Sequence, residues 1–122
     1  QLAEGVQWIC SAAEGAFAAF KNEGSVVTWG EMHYGGDCSA VREQLAENVQ
    51  HLYATNYAFA ALKNDGSVVT WGHAAYGGDS FSVREELAGI KEIKCIYTTS
   101  GAFAALKIDD SLVAWGHEDC GG

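Results

Sequence analysis

Glu31, His73 and His117 each follow a Trp-Gly pair, so one carboxylate and two imidazoles recur at the same place in a repeated frame. Such a donor set suits zinc, which needs all its ligands at about 2 Å. Equivalent residues of successive repeats lie much further apart than that, so solvated loop positions are expected and no metal is. His33 adds little to the set, and His51 falls in a strand pattern and reads as a structural histidine. Asp37 and Asp79 follow double glycines and resemble a pair of catalytic acids, but capping the start of a helix accounts for them more simply.

The remaining reactive residues point away from catalysis. Cys10, Cys38, Cys95 and Cys120 occupy non-equivalent positions and form no Cys-x-x-Cys, so neither a zinc ribbon nor a redox pair is supported. Buried free thiols are expected, with a disulfide between two of them left open. There is no Gly-x-Ser-x-Gly, no local Cys/His pair with an orienting acid, no P-loop and no Gly-x-Gly-x-x-Gly. The chain is therefore read as a non-enzyme without a cofactor. Tyr34 and Tyr76, in exposed glycine loops, suit a protein interface, because tyrosine adds contact area and a hydrogen bond at low entropy cost.

These residues are positioned by a stretch present three times: 16–30 (AFAAFKNEGSVVTWG), 58–72 (AFAALKNDGSVVTWG) and 102–116 (AFAALKIDDSLVAWG). The first copy matches the second at 13 of 15 positions and the third matches it at 11 of 15. Each reads as a β-hairpin. In the second copy, Phe59, Ala61 and Lys63 point one way and Ala58, Ala60 and Leu62 the other, so both faces should be covered. Asn64-Asp65-Gly66 supplies a type I turn with a glycine bulge. Ser67 to Trp71 returns as a β-branched and aromatic strand. In the third copy Asp110 replaces the glycine, which predicts a strained turn or one of another type.

Phe17, Phe59 and Phe103 are 42 and 44 residues apart, the period of a propeller blade or a helical-hairpin solenoid unit, and the strand content favours the blade. First strands are read at Val6–Ala12, Val49–Ala54 and Ile93–Tyr97, with units at about 1–37, 38–79 and 80–122 of a single repeat domain. Short helices are predicted for the connectors Ser39–Glu47, with Val41 and Leu45 on one face, and Ser82–Ala88, where Ser82 and Glu85 have capping-box spacing. A fourth strand per unit would have to come from the glycine loop or the connector. The three recurring tryptophans, Trp29, Trp71 and Trp115, should fill the space between packed sheets, opposite alanines that permit close approach.

Zero proline, 15 glycines and 48% hydrophobic residues describe a globular chain. Its net charge of −9 argues against nucleic acid and against anionic lipid as partners. No apolar run approaches the ~18–20 residues that span a bilayer. A soluble protein is expected, with no targeting segment and no indication of its compartment. The chain opens on Gln1 in mid-pattern, as a segment of something longer would.

Ala61-Leu62, Asp65-Gly66 and Trp71-Gly72, together with their counterparts, resemble the repeats of the regulator-of-chromosome-condensation (RCC-like) family. In place of that family's Gly-Gln-Leu-Gly stands Tyr76-Gly77-Gly78-Asp79, and its histidine is replaced in the Ala-Phe pair. The resemblance implies an all-β propeller, commonly of seven four-stranded blades, used mostly as a protein-binding platform. Members include exchange factors for the GTPase Ran, regions of giant ubiquitin ligases and secreted β-lactamase inhibitors. No residue here matches the exchange-factor wedge, and the chain lacks a basic nucleosome-facing surface. Fold alone transfers none of these activities.

Propellers close with about four to eight blades, so three form an open arc with two bare sheet faces. The chain is accordingly expected to belong to a longer propeller or a larger assembly. The expected function is a non-catalytic protein–protein interaction module using Glu31, His33, Tyr34, His73, Tyr76 and His117. The alternatives are a peripheral structural subunit of a large complex and the propeller segment of a ubiquitin ligase or exchange factor.

Overall fold

The computed structural model describes residues 6–80, 87 and 93–122. Nine strands form three sheets in simple meander order. The first sheet contains β1 (Val6–Ala12), β2 (Ala16–Lys21) and β3 (Val26–Gly30). The second contains β4 (Val49–Ala54), β5 (Ala58–Lys63) and β6 (Val68–Gly72), and the third β7 (Ile93–Thr98), β8 (Ala102–Lys107) and β9 (Leu112–Gly116). All neighbours are antiparallel, and each outer first strand carries a register shift near its start, at Val6/Trp8, Val49/His51 and Ile93/Cys95. Each sheet has three strands; among the described residues neither the glycine loop nor the connector supplies a fourth.

The hairpin turns follow the bulge geometry that Asn-Asp-Gly favours. Gly66 donates to the Lys63 carbonyl at 3.0 Å and Lys63 donates to Ser67 O at 2.9 Å, with Gly66 at a φ of 89°. The Asp65 carboxylate accepts from both the Ser67 amide and hydroxyl, at 2.9 and 2.7 Å. Asp109 does the same toward Ser111, at 3.0 and 2.6 Å. In both cases the serine hydroxyl, then its amide, holds the carboxyl below its ordinary range. Asp110 keeps the same turn rather than adopting another type, with a φ of 71°. A residue with a Cβ occupies the left-handed region there, at a steric cost that glycine escapes.

Register places Phe17, Phe59 and Phe103 opposite Trp29, Trp71 and Trp115. Each pair stacks, with ring centroids 5.3, 5.3 and 5.4 Å apart. In the second and third sheets this aromatic face meets the alanine-rich back of the preceding sheet. One core combines Ala16, Ala18, Phe20 and Val26 with Leu52, Phe59, Ala61, Val69 and Trp71. The other combines Ala58, Ala60 and Leu62 with Ile96, Phe103, Ala105, Val113 and Trp115. Alanine on one side is what lets two aromatic rings fit on the other without separating the sheets.

A glycine loop completes each joint. After β3, β6 and β9 come single 3-10 turns, Met32–Tyr34, Ala74–Tyr76 and Glu118–Cys120, each ended by a left-handed glycine. A Cβ on Gly35 would fall inside the Phe59 ring, and one on Gly77 inside the Phe103 ring. The freed carbonyls are used as well: Trp71 Nε1 donates to Gly35 O and Trp115 Nε1 to Gly77 O, both at 3.1 Å. At the same end, backbone bonds link the β1–β2, β4–β5 and β7–β8 turns across all three sheets, Glu14 N to Asn56 O at 3.2 Å and Asn56 N to Ser100 O at 2.8 Å.

The helix predicted for residues 39–47 does not form. A 3-10 turn, Ser39–Val41, is followed by successive tight turns, and Asp37 Oδ1 accepts from the Ser39 amide at its start, at 2.9 Å. Too few residues are present to offset helix nucleation. Leu45 is instead drawn into the first core, and its carbonyl accepts from Val26 N at 2.9 Å, sealing the edge of β3. The helix predicted at 82–88 lies outside the described residues except for Leu87, which is buried in the second core.

Trp115→Phe, which leaves the Gly77 carbonyl unpaired inside the joint, should destabilise the chain by about 1–3 kcal/mol in urea unfolding. Asp110→Gly should act in the opposite sense, raising the urea midpoint by the equivalent of up to about 1 kcal/mol.

Candidate interaction rim

The 3-10 turns follow the Trp-Gly ends of β3, β6 and β9, so their first residues occupy equivalent places along one rim. Glu31 Oε1 accepts from His33 N at 3.0 Å. His73 Nδ1 accepts from Ala75 N and His117 Nδ1 from Asp119 N, both at 3.2 Å. The three residues that suggested a metal set thus share a capping role. A carboxylate or an imidazole nitrogen satisfies an amide that the turn leaves unpaired. Among the described residues no three His, Cys, Asp or Glu side chains gather as a metal site requires.

The folded chain assembles an aromatic band from four of the six predicted contact residues. The Tyr34 ring lies 6.0 Å from His73, stacked at 26°, and Tyr76 lies 4.9 Å from His117, stacked at 17°. His73 meets Tyr76 edge-on at 5.0 Å. Tyr57 joins the halves, 4.8 Å from Tyr34 and 4.6 Å from Tyr76. The band therefore crosses all three sheets. Tyr34 and Tyr76 are half-buried rather than fully exposed, because each ring rests on the next blade. Tyr76, for example, covers Gly101, where a Cβ would meet its ring.

Glu31 and His33 are exposed and stand outside the stacked series. Sequence reasoning missed Tyr57. Its signal was a departure from the repeat, since Gly15 and Gly101 occupy the equivalent positions. Thr55 and Thr99 were also missed; they brace the turns by donating to Tyr76 O at 2.9 Å and Cys120 O at 2.8 Å. His51 is an exposed strand residue, edge-on to Tyr53 at 5.2 Å.

The rim is electronegative. The Glu14 carboxylate holds the Tyr57 phenol above its ordinary value, with burial and the neighbouring tyrosines adding to the rise. Glu14, Glu31, Glu118 and Asp119 are all exposed beside band residues or in their turns. Aromatic faces among carboxylates favour a cation, which the ring quadrupole and the acids both attract.

The four cysteines are free and partly rather than fully buried. Burial pushes the Cys10 thiol up to about 11, which leaves little thiolate at neutral pH. Among the described residues no helix is long and apolar enough to cross a membrane.

No protein-family model and no curated protein matches the chain. Solved structures do. Human WBSCR16 is 20% identical with a TM-score of 0.63, over 91% of this chain and 34% of that one. The ectodomain of the Physcomitrella patens receptor kinase CR4 is 14% identical with a TM-score of 0.58, over 91% and 29%. A chain in the complex of Kap60 with yeast RCC1 (Prp20) is 19% identical with a TM-score of 0.57, over 84% and 28%. The chain spans about a third of the length of each of these. At these identities the likeness shows the fold, a run of RCC-like propeller blades.

In thiol labelling at pH 8, Cys10 should lag the same residue in urea-unfolded chain by at least about tenfold, since a raised pKa removes the reactive thiolate. Labelling of Cys10 at equal rates in both states would contradict its burial.

Proposed function

We propose that the chain is a non-catalytic protein–protein interaction module whose rim receives a basic segment of a partner. The observation that carries this is the continuous band of Tyr34, Tyr57, His73, Tyr76 and His117 beside exposed carboxylates. Lysine or arginine side chains would lie over the rings and approach the acids of Glu14, Glu31, Glu118 and Asp119, with His33 as a peripheral contact. Each ring contact of this kind contributes about 0.5–2 kcal/mol, so several in series give useful affinity and a preference for arginine. The net charge of −9 supports the choice by drawing a basic partner in and turning polyanions away. Protein partnership is also in keeping with one of the similar structures, which is itself a complex, Kap60 with yeast RCC1.

The bare sheet faces favour a second reading, a subunit held within a larger assembly. Exposed Ile9, Phe17, Tyr97 and Leu112 are what further blades, of this or another chain, would cover. The two readings are compatible, because the rim and the sheet faces are different surfaces. Propeller segments of a ubiquitin ligase or an exchange factor remain further placements for the same module, with any catalysis supplied elsewhere.

A peptide alternating arginine and glycine, titrated by calorimetry, tests the rim. It should bind, and an otherwise equal glutamate–glycine peptide should not. Tyr76→Ala should weaken binding about tenfold, corresponding to the loss of about 1.4 kcal/mol. Affinity should also fall with added salt. Equal binding by wild type and Tyr76→Ala, with both folded by circular dichroism, would remove the rim from the proposal.

A further inference from the structure

The blades present equivalent turns along the rim, and the repeat breaks there in two ways. One break is in size. In the turn before β2, β5 and β8, Gly15 and Gly101 stand in the first and third blades and Tyr57 in the second. Tyr57 belongs to neither core, and the other two blades close this turn with no side chain at that position. The other break is in charge. The preceding residue is Glu14, Asn56 and Ser100 in the three blades, and the residue after Trp-Gly is Glu31, His73 and His117. Of the three blades, only the first has carboxylates at both places.

Folding brings the two breaks together. Glu14 N donates to Asn56 O at 3.2 Å, which sets the acidic turn beside Tyr57. Glu31 N donates to Gly15 O at 3.0 Å, and a Cβ on Gly15 would lie 3.9 Å from that of Glu31, so both carboxylates rise from adjoining backbone. Both acids are exposed, and Tyr57 is partly so, with a described blade on either side of it. The Glu14 charge is also the main reason the Tyr57 phenol sits above its ordinary value.

Ring orientation singles out the same residue. Tyr34 stacks on His73 at 26° and Tyr76 on His117 at 17°, so each turns one face to an imidazole. Tyr57 meets Tyr34 at 67°, Tyr76 at 44° and His73 at 59°, and among the described residues no ring lies parallel to it. A planar guanidinium can stack on such a face while its N–H edge reaches a carboxylate. An ammonium is a strongly hydrated point charge and gains less from the plane.

We propose that Tyr57 is the specificity-determining residue of the rim, its ring and the Glu14 carboxylate together seating one arginine guanidinium of the partner in preference to lysine. Glu31 supplies a second carboxylate nearby, through the oxygen that its cap on His33 does not use. The assignment, which rests on the rim being the binding surface proposed above, narrows a basic segment to an arginine placed where the first and second blades meet.

Calorimetric titration with two peptides, arginine alternating with glycine and lysine alternating with glycine, tests this. The wild type should bind the arginine peptide about tenfold more tightly. Tyr57→Gly, the residue that the other two blades carry, should keep the fold by circular dichroism and bind the two peptides within about twofold of each other. Tyr57→Ala serves in its place if that variant does not fold. Tyr57→Phe should retain the preference, because the ring face is unchanged. Glu14→Gln should weaken both peptides and flatten the salt dependence of binding. An arginine preference that survives in Tyr57→Gly, or a wild type that binds both peptides equally, would overturn the seat and leave the rim as a binding surface. A wild type that binds neither peptide would overturn both.

Discussion

Contact between a glycine loop and the next blade's Phe–Trp stack is the constraint from which the rest of the structure follows. Sheets of three short strands are too small to hold an interior of their own, so each depends on a neighbour to cover its faces. The joint achieves this with a size mismatch: two large rings on one side, alanine and glycine on the other. Left-handed Gly35 and Gly77 let the backbone come against the ring, and the same loop presents the carbonyl that satisfies the buried indole. A buried tryptophan without that acceptor would carry an unpaired donor into the core. Packing and polar satisfaction are thus met by one loop.

The rim is a by-product of the same loop. Because the joint fixes where each 3-10 turn sits, the residue that caps the turn and the tyrosine that ends it arrive at a regular interval along the edge. Glu31, His73 and His117 cap, while Tyr34 and Tyr76 lean across to the next blade. The caps and the band therefore share residues. His73 and His117 accept a backbone hydrogen bond through Nδ1 and offer their ring faces to tyrosine. A side chain occupied in this way is held in place, so it has little rotamer freedom left to lose.

Much of the local structure was legible because the repeat supplies its own controls. Alternation in AFAALK placed the strand, Asn-Asp-Gly placed the turn, and strand content within a period of 42 to 44 residues favoured blades over helical-hairpin units. The connector at 39–47 misled for a physical reason. Its residues favour helix, but Leu45 is worth more in the core, and its carbonyl is needed by the edge of β3. Asp110 shows the converse. The bonds of its own turn, Lys107 N to Ser111 O and Ser111 to the Asp109 carboxylate, hold it to a geometry that Asp110 resists.

Sequence by itself determined the hairpins, their register and their number, because strand alternation and turn chemistry act over a few residues. It also determined the acidic character of the surface. Tertiary structure decided which faces are buried, that Tyr57 bridges two halves of an aromatic band, and that Leu45 joins the first core instead of a helix. Those outcomes depend on residues far apart in sequence, such as Gly35 with Trp71 and Tyr34 with Tyr57, meeting in the folded chain. No local pattern encodes such a meeting; it follows only once an alanine face and an aromatic face close on one another and exclude water between them.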